Sequence, residues 1–404
     1  MQRIEVQNFG PIKNMTLDIK DYMIFIGPQA SGKSTLAKLV WLYYRFSRDV
    51  AIHYNVVIFQ KSVQFITHLN VIDFILSLAR HDNYIDKKYI KPNTKIIFYY
   101  TDNIYVDIIQ RTVSPDLDKV LLDIFKEYKR IRELRFDTDI SFEKSNILRE
   151  SFYSDIINSV NDLTNLSAES IFIPAGRMNY FKAGEKENNL LDFILGDLFT
   201  NRKEKVSPLF ENLKKAILKG KVAIVQNVNK ETSLEEYSPV ISGEGFQVPI
   251  QQASSGQQEA MGIILTVEYL LKQKTVYYTI IEEPEAHLFP EAQRDLTYLI
   301  SLLANQDRNQ VLLTTHSPYI LAALNNLMKA YTVGQVARNE SAVNDIIARE
   351  LWVNPEQVFV GYMENGEIKN IVNEELLQIE HDCLDSVSTD IMIKFDQLLD
   401  IQYA

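Results

Sequence analysis

Two kinds of apolar pattern alternate along the chain. Short apolar runs rich in β-branched and aromatic residues stop abruptly at small or acidic residues, and longer stretches repeat their apolar positions at helical spacing. Tyr22-Met23-Ile24-Phe25-Ile26, Tyr277 to Ile281, and Val311-Leu312-Leu313-Thr314-Thr315 predict buried core strands. Lys95 to Tyr100 and Ile104 to Ile108 flank a Thr-Asp-Asn turn and predict a hairpin. Tyr362-Met363-Glu364-Asn365-Gly366-Glu367 predicts a second, turning on Asn-Gly. Helical patterns follow Thr35, run from about 50 to 93 and from about 115 to 168, and resume after Glu259. A closing amphipathic helix has Ile391, Phe395, Leu398 and Leu399 on one side. The pattern is α/β.

The first buried strand leads into Gly27-Pro28-Gln29-Ala30-Ser31-Gly32-Lys33-Ser34, which fits G-x-x-x-x-G-K-[ST] without a mismatch. A helix begins directly after it, so the motif has the strand–loop–helix setting that phosphate binding requires. Backbone N–H groups of such a loop turn inward around phosphates, and the helix dipole adds partial positive charge there. Gly27, Pro28, Gln29, Ala30, Ser31, Gly32, Lys33, Ser34 and Thr35 are the candidate ATP-binding residues. Lys33 is expected to reach the β- and γ-phosphates, and Ser34 to offer its hydroxyl to magnesium.

Three further motifs follow in order. Ser254-Ser255-Gly256-Gln257 opens an apolar helix and so forms a second helix-start anion site. Ser and Gly at such a place are also ordinary helix caps. If the two anion sites lie on opposite lobes, one nucleotide cannot easily use both, and Ser254, Ser255, Gly256 and Gln257 are then expected to act in trans, on the γ-phosphate held by a second copy. Glu282 and Glu283 end the next strand. Glu282 is the candidate magnesium ligand, and Glu283 the candidate for orienting the attacking water. Glu285 reads as a solvated turn residue or an interface residue. His316 ends the strand after that, where an imidazole is able to hydrogen-bond a γ-phosphate. Lys33, Glu283 and His316 form the predicted catalytic set.

With Ile4-Glu5-Val6-Gln7-Asn8-Phe9-Gly10-Pro11-Ile12, Ile173-Pro174-Ala175-Gly176-Arg177, Glu282-Glu283-Pro284-Glu285-Ala286-His287-Leu288 and Thr315-His316-Ser317-Pro318, these motifs carry a resemblance over nearly the whole length. The chain resembles the ABC-type ATPases of the RecF, SMC and overcoming-lysogenization-defect (OLD) group, AAA-family ATP-binding proteins. It is most similar to the small ATPases of bacterial anti-phage defence operons of the Septu and PARIS type. The resemblance implies an ABC-type ATPase head: a mixed sheet, an antiparallel β subdomain, and a helical signature lobe plus helical insertion. It implies ATP and magnesium as ligands, a homodimer or higher oligomer closed by an ATP sandwich, and Arg177 as a possible sensor. It also implies a sensor or regulatory subunit acting on a separately encoded effector, a nuclease or a toxin. Two residues depart from the pattern: Glu282 replaces a common aspartate, and Phe289 a common histidine. OLD-type nucleases add a Toprim domain with a D-x-D pair; Asp382 and Asp385 are spaced i, i+3, so any nuclease is expected on another polypeptide.

Composition narrows the alternatives. The 404 residues, 46% of them hydrophobic, suffice for a large core in one elaborated ATPase domain. Within it, 50–93 and 115–168 read as helical insertions, 185–270 as the signature lobe, 271–335 as the core carrying Glu283 and His316, and 336–404 as a hairpin and helix. No run is long enough for a membrane span, and Met1 leads straight into a strand without a signal peptide. The lone Cys383 excludes internal disulfides and fits a reducing cytoplasm. A net charge of −11 argues against a basic coat for nucleic acid. Local basic clusters still leave DNA as a possible partner. One comprises Lys126, Lys129, Arg130, Arg132 and Arg135; the other Arg202, Lys203, Lys205, Lys214, Lys215, Lys219 and Lys221. A DNA-clamping ATPase similar to RecF and a nucleotide-gated scaffold with negligible turnover are the alternative readings. Asn8, Phe9 and Ile12 are candidates for contacting adenine.

Overall fold

The computed structural model describes residues 2–59, 87–135, 142–166, 169–177, 189–228, 235–306, 309–336 and 338–380, with Lys394 and Gln397. Much of the 50–93 segment, Asp382, Cys383, Asp385 and the apolar residues of the closing helix lie outside this set. The chain forms two compact units. One comprises residues 1–19, 28–171 and 363–368, the other 20–27, 172–362 and 369–404.

In the first unit, β1 (Arg3–Phe9) and β2 (Ile12–Asp18) pair as an antiparallel hairpin. Strand β3 (Tyr22–Ile26) passes through the second unit, and the chain returns as helix α1 (Lys33–Phe59). Strands β4 (Ile90–Tyr99), β5 (Tyr105–Asp107) and β6 (Thr112–Val113) complete a five-stranded antiparallel sheet in the order β2-β1-β4-β5-β6. Its strands alternate in burial, with Ile4 and Val6 of β1 and Met15 and Leu17 of β2 inward, as expected of a sheet covered on one face. The β4–β5 pair is the predicted Thr-Asp-Asn hairpin. Strand β4 begins inside the span read as helical, because Ile90 pairs with Phe9, and a ladder to a distant strand overrides the local pattern. Helices α2 (Pro115–Arg135) and α3 (Phe142–Thr164) occupy most of the second predicted insertion. Tyr43 of α1 stacks on Tyr100 with ring centroids 4.5 Å apart and donates its hydroxyl to the Tyr99 carbonyl at 3.2 Å.

A six-stranded sheet falls largely within the second unit. Its strands after β3 are β7 (Glu169–Ile173), β11 (Tyr277–Glu282), β12 (Gln310–Thr315), β13 (Val358–Glu364) and β14 (Glu367–Asn370). The order is β14-β13-β3-β12-β11-β7, and β13, β3, β12 and β11 pair in parallel. Every residue of β3 and β11 is buried, which is why these strands are apolar without alternation. The β13–β14 turn is the predicted Asn-Gly hairpin, with positive φ at both Asn365 and Gly366.

Between β7 and β11 come α4 (Asn189–Thr200), α5 (Pro208–Leu218), β8 (Lys221–Val228), β9 (Glu235–Gly243), β10 (Phe246–Pro249) and α6 (Ser255–Lys272). The three strands form an antiparallel sheet in the order β10-β9-β8. Helices α7 (Pro290–Ala304) and α8 (Pro318–Gly334) follow β11 and β12 respectively. The structure is thus mixed α/β with a separate antiparallel sheet, as expected.

One buried side chain helps hold the entry to β11. Buried Asn309 accepts a hydrogen bond from the Tyr277 backbone N–H at 2.8 Å. Asn309→Ala leaves that N–H without its acceptor and should lower unfolding free energy by about 1–3 kcal/mol. Denaturant titration giving an unchanged midpoint would show that this bond does not hold β11 in place.

Candidate functional site

The candidate phosphate-binding loop is shaped by its backbone. Gly27, Ala30 and Gly32 have φ of 150°, 60° and 103°, so the chain leaving β3 turns repeatedly before α1 starts. A Cβ on Gly32 would stand 3.1 Å from Pro11 Cγ and 3.3 Å from Ile12 Cγ1. The first helical bond runs from Leu36 N–H to Gly32 O at 2.9 Å, which leaves the Ser34 and Thr35 amides without an acceptor inside the helix. Lys33 is 5% exposed, and its Nζ lies 2.7 Å from the Pro28 carbonyl and 3.5 Å from Ser31 Oγ. An ammonium curled into a loop of small residues at a helix start has the chemistry of a polyphosphate cradle.

Within the second unit, register brings three strand ends level. Ile26 of β3 is paired with Thr315 of β12, and Thr314 with Glu282 of β11. Glu282 is 6% exposed and its Oε2 lies 3.4 Å from the Ala175 backbone N–H. Glu283 is a non-glycine residue with φ of 44°, its N–H bound to the Thr314 carbonyl at 2.8 Å. Its Oε1 lies 3.7 Å from His316 Nε2. The predicted catalytic carboxylate and histidine are therefore neighbours, both partly open to solvent. Among the described residues no three or more His, Cys, Asp or Glu gather into a metal-binding group. Magnesium needs no such cage: it keeps several waters and takes one or two protein oxygens beside substrate phosphates. Ser34 and the buried Glu282 are the right kinds of donor for it.

Glu285 differs from its solvated reading. Its Oε1 accepts from Thr315 Oγ1 at 2.8 Å and from the His316 backbone N–H at 2.6 Å. It ties the turn after β11 to the end of β12 and so fixes the peptide that carries His316. Ser317 then caps α8: its Oγ accepts from the Tyr319 N–H at 3.1 Å and donates to Gln293 Oε1. Arg177 is fully buried, its guanidinium engaged by the carbonyls of Pro174, Glu259, Glu282 and Glu283.

Three of the signature residues serve the fold. Ser254 is the N-cap of α6, accepting from the Gln257 N–H at 3.4 Å, while Gln257 Oε1 accepts from the Ser254 N–H at 3.1 Å. This is a capping box, and Gln257 Nε2 also donates to the Leu218 carbonyl at 2.7 Å. Gly256 is buried, and a Cβ there would come within 2.5 Å of the His287 carbonyl oxygen, so only glycine lets α6 lie this close to the turn after β11. Ser255 is exposed at the helix start.

Some members of the basic clusters are paired with carboxylates, while Arg202, Lys203, Lys205, Lys215, Lys219 and Lys221 of the second cluster are exposed. Lys126 pairs with Asp123 at 2.6 Å and Arg130 with Glu127 at 2.5 Å. The hydrogen bond from Lys126 holds the Asp123 carboxyl below its ordinary range. In the second cluster Lys214 is buried between Glu211 and Glu268, each 2.9 Å away. Lys214 is thus withdrawn from the surface read as open to a phosphate backbone or an acidic partner.

Three solved structures are similar to the chain at low identity. One is an SMC head bound to the C-winged helix domain of ScpA, 12% identical, covering 93% of this chain and 98% of its own, with a TM-score of 0.46. Another, from Pyrococcus furiosus, is an SMC head with an extended coiled coil bound to the C-terminal domain of ScpA. It is 10% identical, with coverage of 91% and 95% and a TM-score of 0.40. The third, the SMC head domain from Thermotoga maritima, is 11% identical, with coverage of 92% and 97% and a TM-score of 0.36. Comparison with curated proteins gives no match. The AAA ATPase domain family matches residues 1–174 and 60–321, which together span most of the sequence, and the chain belongs to that family.

Proposed function

We propose that this chain binds ATP through Gly27 to Thr35 and hydrolyses it with Glu283 as the carboxylate that orients the attacking water. The observation that carries this reading is the level row of strand ends, where Ile26 runs into the phosphate loop, Thr315 into His316, and Glu282 into Glu283. Phosphoryl transfer asks mainly for positioning and charge neutralisation. Lys33 neutralises phosphate charge, Glu283 polarises water, and His316, beside Glu283, donates toward the γ-phosphate. Ser34 and Glu282 would hold magnesium, which supplies charge neutralisation when bound. Ser255, exposed while Ser254 and Gln257 cap the helix and Gly256 packs against the turn after β11, is the signature residue open to a second copy. The working form is a homodimer in which α6 of each copy faces the nucleotide of the other. Following the resemblance to anti-phage ATPases, we infer that dimer closure and reopening restrain and release a separately encoded effector.

Loss of the loop's cation in Lys33→Ala should weaken ATP binding by about 1–3 kcal/mol or more, given the strength of charge-assisted contacts. Calorimetry showing unchanged affinity would remove the loop from the nucleotide site. Glu283→Gln keeps shape and loses the charge that organises water. Its turnover should fall by orders of magnitude while ATP binding persists, so that the protein accumulates as an ATP-loaded dimer.

The shared site makes a complementation prediction. Ser255→Arg and Lys33→Ala should each be inactive alone, yet mixing them should restore turnover, up to about half the wild-type rate per heterodimer, because one composite site then has an intact loop and an intact signature. With subunit exchange verified by mass measurement, absence of any recovery would count against signature residues acting in trans.

A further inference from the structure

Arg177 and Glu259 form an ion pair whose side chains are 0% and 1% exposed. A charged pair so deeply buried persists only with partners on every side. Arg177 Nε lies 3.1 Å from Glu259 Oε2 and 3.2 Å from the Glu259 carbonyl oxygen. Nη1 donates to the carbonyls of Pro174 at 2.8 Å and Glu282 at 2.6 Å, and Nη2 to the carbonyl of Glu283 at 2.8 Å. Glu259 Oε2 also accepts from the Arg177 backbone N–H at 3.1 Å. A planar fork meets these acceptors together, which a single ammonium cannot do.

Those contacts fall on the peptide groups that orient the catalytic carboxylate. The Glu282 carbonyl belongs to the peptide plane before the Glu283 Cα, and the Glu283 carbonyl to the plane after it. Arg177 holds both. The N–H of the first plane is fixed independently by the Thr314 carbonyl at 2.8 Å. With both planes held, φ and ψ of Glu283 are set, and so is the direction of its Cα–Cβ bond. The conformation maintained is the left-handed one, at φ of 44°, which a residue with a side chain does not keep unless its surroundings impose it. The countercharge comes from Glu259, in the first turns of α6, close to Ser255.

We propose that Arg177 is a positioning residue for Glu283, and that its ion pair with Glu259 ties the start of α6 to the catalytic carboxylate. A signature helix drawn toward a nucleotide would then act on the peptide that aims Glu283. This rests on Glu283 being the water-orienting carboxylate.

The test is a double-mutant cycle on turnover, expressed per titrated nucleotide-binding site so that unfolded protein does not count. Arg177→Lys keeps the charge and loses the fork. It should lower kcat about tenfold or more while KM stays within about twofold. In a Glu283→Gln background the same change should alter the residual rate by less than about twofold, because the group being aimed is gone. If Arg177→Lys does not fold, Glu259→Gln carries the test: it keeps an oxygen acceptor, removes the countercharge, and should lower kcat about fivefold with the same disappearance in Glu283→Gln. An unchanged kcat, an effect confined to KM, or a full additional loss in Glu283→Gln overturns the proposal. The two levels separate cleanly. Near-wild-type turnover in Glu283→Gln removes the catalytic assignment and this inference with it, whereas loss in Glu283→Gln with normal turnover in Arg177→Lys removes this inference alone.

Discussion

The candidate chemistry depends on the parallel register of β3, β12 and β11. Successive residues of a strand point to opposite faces, so a slip of one residue between neighbours would turn Glu282 and Thr315 away from the positions they now hold. The register is protected because β3 and β11 are buried throughout and β12 is buried beyond Gln310, so a slip would cost core contacts along the strands. Stability of the sheet and alignment of the chemistry are one constraint.

Beyond the strand ends the backbone is held by side chains. Glu285 fastens the turn after β11 to the Thr315 hydroxyl and the His316 N–H, while Arg177 fastens the Glu282 and Glu283 carbonyls. Loops of this kind lack a ladder of their own, and a charged side chain such as Arg177 satisfies several backbone groups at once. Glu283 is left partly open to solvent on a held peptide, which suits the water-orienting role proposed for it.

The start of α6 shows structural and chemical needs divided among adjacent residues. Ser254 and Gln257 close the helix end, Gly256 permits close approach to the His287 carbonyl, and Ser255 faces outward. The two readings of this motif, helix cap and anion site, are compatible because they fall on different residues.

Much of this was legible in the sequence. The phosphate loop, the buried strands, the acidic strand end and both hairpins are local patterns, set by periodicity, turn chemistry and residue size within a few positions. What stayed hidden was non-local. Glu285 looked solvated because its partners lie at residues 315 and 316, and the beginning of β4 looked helical because Ile90 is recruited by Phe9. Lys214 read as part of a basic surface until Glu268 was brought against it. Arg177 carried only the family resemblance, since nothing near it in the chain reveals that the carbonyls of Glu259, Glu282 and Glu283 converge with that of Pro174 on its guanidinium. Local preference decided which elements form; only tertiary packing, by bringing charges and carbonyls together out of water, decided which polar side chains are left for chemistry and which hold the backbone in place.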